Sequence, residues 1–301
     1  MRQVWGGIEG GGTKFNCLLG TGPDAILAER TLPTTSPGET LGAVARFFEE
    51  HVGSESGQGL AGLGIACFGP IDLNPRSPTY GSVTTTPKPG WSGAEVVGFF
   101  RGRFGVPIGW DTDVNGAALG ELRWGAGRGL DSLVYITVGT GIGGGAIVGG
   151  RPLHGLLHPE MGHIPVTPAI QAAGPGVCPY HGGWCLEGVA SGPALARRAG
   201  RPAPTIPADD PIWEDEARAL GFAAATIALT LSPERIIFGG GVLKQEQLYP
   251  RIRHHCLAAL NGYLRVPAIT DHIDTYIAAP GLGDRAGALG ALALGIDAAR
   301  P

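Results

Sequence analysis

Val4-Trp5-Gly6-Gly7-Ile8-Glu9-Gly10-Gly11-Gly12-Thr13-Lys14-Phe15-Asn16-Cys17-Leu18-Leu19 is the stretch whose reading decides the fold. Val4 to Glu9 reads as a strand, Gly10 to Thr13 as a turn, and Lys14 to Leu19 as a returning strand. Such a turn lets backbone N–H groups converge on an anion, because no Cβ blocks the approach. It fits neither common phosphate loop. No Gly-Lys-Ser/Thr follows at the Walker spacing, and the chain returns as a strand instead of opening a helix.

The unit recurs about 130 residues later. Leu133 to Val138 reads as a strand, Gly139-Thr140-Gly141 as a turn and Ile142 to Val148 as a strand. A third cluster, Gly239-Gly240-Gly241, follows a short strand at Arg235 to Phe238. Thr13 and Thr140 add hydroxyl donors to their turns. Three glycine clusters at strand ends argue for anion binding over plain hairpin turns.

Between these landmarks the pattern alternates. Thr40 to His51 reads as a helix, Ala61 to Phe68 as an apolar strand, and Pro107 to Trp110 as a short strand. The last ends at Asp111-Thr112-Asp113 and opens a helix from about Asn115 to Trp124. Ile212 to Leu231 reads as a helix, and the alanine-rich tail from Gly283 to Ala299 as another. The expected fold is α/β, with two similar domains around a cleft. The expected division is 1–116 plus 284–301 for a small N-terminal domain and 117–283 for a larger one.

With 301 residues and 43% apolar content, the chain is long enough for two cores. Charged residues make up only 16% and the net charge is −4, which argues against a nucleic-acid partner. The opening Met1-Arg2-Gln3-Val4-Trp5-Gly6-Gly7 does not read as a signal peptide. No stretch approaches the ~20 apolar residues that span a bilayer. A cytoplasmic protein with no membrane partner is therefore expected, its thiols reduced. Cys17, Cys67 and Cys256 sit singly among apolar residues and read as core.

Cys178-Pro179-Tyr180-His181 and Cys185 follow His163. Two thiolates and two imidazoles suit tetrahedral Zn²⁺, and four protein ligands would close the site, as in a structural centre. Glu160 precedes His163 by three residues and Glu187 follows Cys185 by two, so the metal would set two carboxylates. Asp111 and Asp113 lie where a strand gives way to a helix. Either suits a general base that orients a hydroxyl and takes its proton, and spacing alone does not choose between them. Glu9, at a strand end beside the first turn, suits Mg²⁺ as an oxygen ligand.

Together these motifs resemble the ROK family of bacterial sugar kinases and regulators over nearly the whole chain. Glu9 to Lys14 is similar to its first phosphate motif, Thr137 to Gly145 to its second, and Gly239 to Val242 to its adenosine motif. The resemblance implies an actin-like, ribonuclease-H-like ATPase fold. It implies that ATP is held by Gly10, Gly11, Gly12, Thr13, Lys14, Thr140, Gly141, Gly143, Gly239, Gly240 and Gly241. Asp111-Thr112-Asp113-Val114-Asn115 matches the segment whose second acid is the family's base, which selects Asp113. Thr112, Asp113, Glu160, His163 and Glu187 become sugar contacts, with His163 also a zinc ligand beside Cys178, His181 and Cys185. ATP, Mg²⁺ and structural Zn²⁺ are the implied cofactors, and a homodimer the implied assembly.

Within the family the chain is most similar to the fructokinase branch. Thr84-Thr85-Thr86-Pro87-Lys88-Pro89-Gly90-Trp91 resembles a segment at the sugar pocket of that branch. The activity implied is phosphorylation of fructose at its 6-hydroxyl, with mannose, glucose or N-acetylmannosamine as the rival hexoses. The family's repressors carry a DNA-binding domain before the kinase-like part. Here the first glycine turn begins by residue 10, so no such domain is expected. Two departures stand out: Glu9 replaces the aspartate usual in the wider family, and His181 to Cys185 is one residue longer than the common form, with Trp184 extra.

Overall fold

The structure is a computed structural model that describes residues 2–53, 57–166 and 176–300. The chain begins with β1 (Arg2–Gly10), β2 (Lys14–Gly20) and β3 (Ile26–Pro33), then α1 (Pro37–His51), β4 (Gln58–Cys67), α2 (Val96–Phe104), β5 (Ile108–Thr112) and α3 (Asp113–Trp124). It continues through β6 (Leu133–Val138), β7 (Ile142–Val148) and β8 (Arg151–Pro152), then α4 (Leu186–Ala190), α5 (Gly192–Ala199) and α6 (Ile212–Leu231). It closes with β9 (Arg235–Gly239), α7 (Leu248–Leu260), α8 (Pro267–Thr270), α9 (Ile273–Tyr276), β10 (Ile277–Ala278) and α10 (Ala286–Ala298).

The strands form two five-stranded sheets of one topology, ordered β3-β2-β1-β4-β5 and β10-β9-β6-β7-β8. In each, a glycine-turned hairpin is antiparallel, and on the side of its first strand two further strands add in parallel, β4 then β5 and β9 then β10. The recurrence of strand, glycine turn and strand thus reflects a duplicated architecture. The register places Glu9 opposite Asn16 and Thr137 opposite Gly239, which puts glycine clusters at strand ends.

The chain divides into two compact units, Met1–Arg128 with Pro152–His158 and Asp284–Pro301, and Gly129–Arg151 with Pro159–Gly283. The expected boundary after residue 116 falls inside α3, and the whole helix stays in the first unit. The reason is packing against α10: a Cβ at Gly290 would collide with the Gly116 carbonyl, so the helices meet backbone to backbone. α10 also lies on the first sheet, where its small residues allow an approach that larger ones would block. The return of residues 152–158 to the first unit has no counterpart in the expected division.

The first unit's core gathers Val4, Ile8, Phe15, Phe47, Phe48, Ile65, Trp91 and Phe100. Burying each such side chain contributes about 1.5–3 kcal/mol relative to exposure. No described helix is long and apolar enough to cross a membrane.

Candidate active site and metal centre

The first glycine turn is closed by the Gly11 N–H donating to the Lys14 carbonyl at 2.9 Å. Thr34 braces it from the end of β3, its hydroxyl donating to the Gly11 carbonyl at 2.7 Å and its N–H to the Thr13 carbonyl at 3.0 Å. Gly12, Thr13 and Lys14 remain exposed, as a loop that cradles a phosphate requires. Glu9 is half-buried and accepts from Asn16 Nδ2 at 2.8 Å, and Asn16 Oδ1 accepts from the Thr31 hydroxyl at 2.9 Å. Burial raises the Glu9 carboxyl above its ordinary value, with Asn16 and Lys14 opposing and Asp284 adding. A cation beside it would favour the ionised form, so its oxygen donors fit Mg²⁺.

At the β5–α3 turn the two acids have different surroundings. Asp111 is 2% exposed. Its Oδ1 accepts from the Thr112 N–H at 2.7 Å and Asn115 Nδ2 at 2.8 Å, and its Oδ2 pairs with His154 Nε2 at 2.9 Å. Asp113 is half-buried, with Oδ1 accepting from the Val114 N–H at 2.9 Å. Its charge reaches Cys67, whose thiol is pushed up by burial first and by Asp113 second. Thr112 is only 3% exposed, and its Oγ1 caps α3 by accepting from the Asn115 N–H at 3.1 Å. That bond uses an Oγ1 lone pair and leaves the hydroxyl proton to donate elsewhere.

In the second unit the Gly139 N–H donates to the Gly141 carbonyl at 2.9 Å, closing the second turn. Thr140 is exposed, and Gly141 and Gly143 are half-buried. The first residue of α5, Gly192, donates its N–H to the Gly139 carbonyl at 2.8 Å. Gly240 has φ +92°, and a Cβ there would collide with the Val138 backbone at the end of β6. The second and third glycine clusters therefore adjoin, and only glycine allows it.

Glu187 Oε2 accepts from the Ile142 N–H at 2.9 Å. Glu160 is half-exposed, and its carboxyl is raised by burial first and by the Glu187 charge second. The sequence-predicted carboxylates are therefore brought together, beside the second glycine turn.

His163, Cys178, His181 and Cys185 place one donor atom each within 4.8 Å of one another. Cys178 Sγ lies 3.8 Å from His163 Nδ1 and 3.6 Å from His181 Nδ1, and Cys185 Sγ lies 3.7 Å from His163 Nδ1. A tetrahedral Zn²⁺ with Zn–S of about 2.3 Å and Zn–N of about 2.0–2.1 Å sets such edges at about 3.6 Å. The extra residue between His181 and Cys185 does not disturb the set. Gly182 takes φ +56°, and Trp184 turns outward at 67% exposed. Burial, together with Cys178, pushes the Cys185 thiol up to about 11.

The segment from Thr84 to Trp91 packs beside the first turn. Trp91 is 0% exposed, donates from Nε1 to the Thr35 carbonyl at 2.8 Å and rings against Phe15 and Phe68. Trp91 is thus core, and any sugar contact from this stretch falls to its half-buried members, such as Thr86 and Lys88. Sequence reasoning missed Thr34, Asn16, His154 and His158. For the two histidines the only signal was their pairing in His154-Gly155-Leu156-Leu157-His158.

Two sheets of this topology, each led by a glycine hairpin, define the two-domain actin-like ATPase fold. The chain belongs to the ROK family, whose sequence profile matches residues 5–298. It is 43% identical over 303 residues to the fructokinase of Zymomonas mobilis, covering 99% of this chain and 98% of that one. It is 40% identical to the fructokinase of Pediococcus pentosaceus, covering 97% of each. Among solved structures it resembles a ROK family glucokinase from Streptomyces griseus in complex with glucose and AMPPNP. That match has a TM-score of 0.75 and 27% identity, and covers 98% of this chain and 99% of that one.

Proposed function

We propose that this chain is an ATP-dependent fructokinase that transfers the γ-phosphoryl group of ATP to the 6-hydroxyl of D-fructose. The observation that carries the reaction is the contrast at the β5–α3 turn. Asp111 is buried with both oxygens engaged, whereas Asp113 stands half-buried at the start of α3. Full-length similarity to fructokinases favours fructose over other hexoses.

Asp113 takes the proton from the 6-hydroxyl as that oxygen bonds to the γ-phosphorus. The bond from phosphorus to the bridging oxygen breaks, and ADP leaves. Such transfers depend mostly on positioning and charge stabilisation, with one carboxylate to orient the hydroxyl. Gly10 to Lys14, Thr140, Gly141 and Gly143 supply N–H and hydroxyl donors for the phosphates. Gly239 to Gly241 receive the adenosine. Glu160, His163 and Glu187 hold the sugar: Glu187 keeps Oε1 for it while Oε2 holds Ile142, and His163 keeps Nε2 while Nδ1 faces the thiols. Glu9 would hold Mg²⁺, which when bound would supply positive charge against the phosphates. His163, Cys178, His181 and Cys185 would hold Zn²⁺, which when bound would fix the positions of Glu160 and Glu187. A homodimeric assembly is part of this reading by family resemblance.

The test is ADP release in a coupled assay with Mg-ATP, offering fructose, glucose, mannose and N-acetylmannosamine separately. Fructose should give the highest kcat/KM. A clear preference for another hexose would keep the transfer and discard fructose. Silence on all four by folded, metal-replete protein would remove the kinase reading.

A further inference from the structure

The chain leaves the second unit at Pro152 and returns to it at Pro159. The segment Pro152–His158 is fastened within the first unit by two histidines. His158 is buried, and its Nε2 accepts the Ile71 N–H at 3.2 Å. His154 Nε2 lies 2.9 Å from Asp111 Oδ2, with its side chain 42% exposed. No function assigned above uses either histidine.

Asp111 is the element that gives His154 a consequence. Its Oδ1 holds the Thr112 N–H and the Asn115 amide, so it organises the turn from which α3 starts. Its Oδ2 has His154 as partner. A buried carboxylate oxygen without a donor is strongly unfavourable, so removing His154 would make Asp111 rotate or take up a proton. Either change withdraws acceptor strength from Thr112 and Asn115. Asp113 is the next residue along, and reacting groups misplaced by about 1 Å lose about 100-fold in rate. The hydrogen bond to Asp111 also raises the imidazole pKa, which favours the donating imidazolium.

We propose that His154 is a positioning residue for phosphoryl transfer: donating from Nε2 to Asp111, it fixes the β5–α3 turn that presents Asp113. The proposal rests on the fructokinase reading, with Asp113 as base. His154 itself need not touch fructose or ATP. Its effect should therefore fall on kcat and leave both KM values nearly unchanged.

The experiment is steady-state kinetics of wild type, His154→Leu, His154→Gln and Asp111→Asn with Mg-ATP and fructose. Leucine keeps bulk without a donor, and kcat should fall about 10- to 100-fold while each KM stays within about threefold. Glutamine offers an amide donor to Asp111 and should recover kcat to within about fivefold of wild type. The double variant His154→Leu/Asp111→Asn should be no slower than Asp111→Asn alone, because both substitutions break one contact. A kcat for His154→Leu within twofold of wild type would overturn the proposal. So would a loss that appears mainly in the KM for fructose, which would make His154 a sugar contact. If His154→Leu does not fold, Asp111→Asn decides. Its amide keeps the Oδ1 contacts but removes the acceptor facing His154, and an undiminished kcat would overturn the proposal. A wild type inactive on every hexose would sink both readings, whereas an active wild type with indifferent variants would sink this one alone.

Discussion

The Ile142 N–H donates to Glu187 Oε2 at 2.9 Å, so this carboxylate holds the second glycine turn. Glu187 stands two residues past Cys185, the first helical turn of α4 starting between them. The His/Cys cluster, the proposed sugar contact Glu187 and the second glycine turn are thereby linked within one unit. A hydrogen bond to a charged group is worth about 1.5–3 kcal/mol, which is about 10- to 100-fold. Glu187→Ala should lower kcat/KM by that factor for both ATP and fructose in initial-rate kinetics. Glu187→Gln still offers an oxygen to Ile142, so its loss should fall mainly on fructose. Equal losses for ATP in the two variants would break the link.

Asp113 and Asp111 should separate cleanly on mutation. Asp113→Ala should cut kcat at least about 100-fold, the usual weight of a general base, with the melting temperature little changed. Asp111→Ala removes a buried acceptor of three hydrogen bonds and should destabilise the protein by about 2–4 kcal/mol in urea unfolding. Near-normal turnover in Asp113→Ala would take that residue out of the mechanism.

Metal content is checked by elemental analysis of the purified protein, which should hold one zinc per chain. Cys178→Ser or Cys185→Ser should lose it, and disturbing the support of the sugar contacts should cost about 10- to 100-fold in activity. The Cys185 thiol, pushed up to about 11, must lose its proton on binding. Zinc uptake should therefore release protons, and apparent affinity should rise with pH. Full retention of activity in stable, zinc-free protein would show that the cluster does not support the sugar site.

Glu216 on α6 is 0% exposed, neither side-chain oxygen has a hydrogen-bond partner among the described residues, and Arg198 Nη2 stands 3.6 Å from Oε2; burial raises its carboxyl well above the ordinary value, with Arg198 opposing. A carboxyl raised in this way holds its proton to higher pH in the folded state than in the unfolded chain, where the ordinary value is 4.5. Stability should then fall as pH rises above that value, because the unfolded chain binds fewer protons. Urea unfolding across that range should show the slope, and Glu216→Gln should flatten it. An unchanged slope in the variant would mean that Glu216 is ionised in the folded protein.

Trp91 tests whether the Thr84–Trp91 segment acts through packing. Trp91→Ala should cost about 3–5 kcal/mol, the usual range for a buried aromatic. Trp91→Phe keeps the ring stack and loses the bond to Thr35, at about 1 kcal/mol. Its ratio of kcat/KM for fructose over mannose should match wild type, since the indole is buried. A changed ratio would place the indole in sugar selection.

Much of this protein could be read from local sequence. A hairpin turned by glycines needs only alternating apolar residues and glycines at the turn, so both hairpins, at Gly10–Thr13 and at Gly139–Gly141, were legible. The donor set of His163, Cys178, His181 and Cys185 was legible because residue type and spacing carry metal chemistry. Tertiary structure decided what local pattern cannot encode. Asp111 and Asp113 look alike in the chain, and burial alone separates them, through contacts with Asn115 and with His154, 43 residues away. Trp91 reads equally as a pocket wall or a core ring until Phe15, Phe68 and Thr35 close around it. The length of α3 within the first unit depends on Gly116 meeting Gly290, a contact that exists only once α10 has folded back onto the sheet. Local signals specify strands, turns and donor sets because they act between near neighbours, while burial and partner choice arise from segments that the chain brings together only on folding.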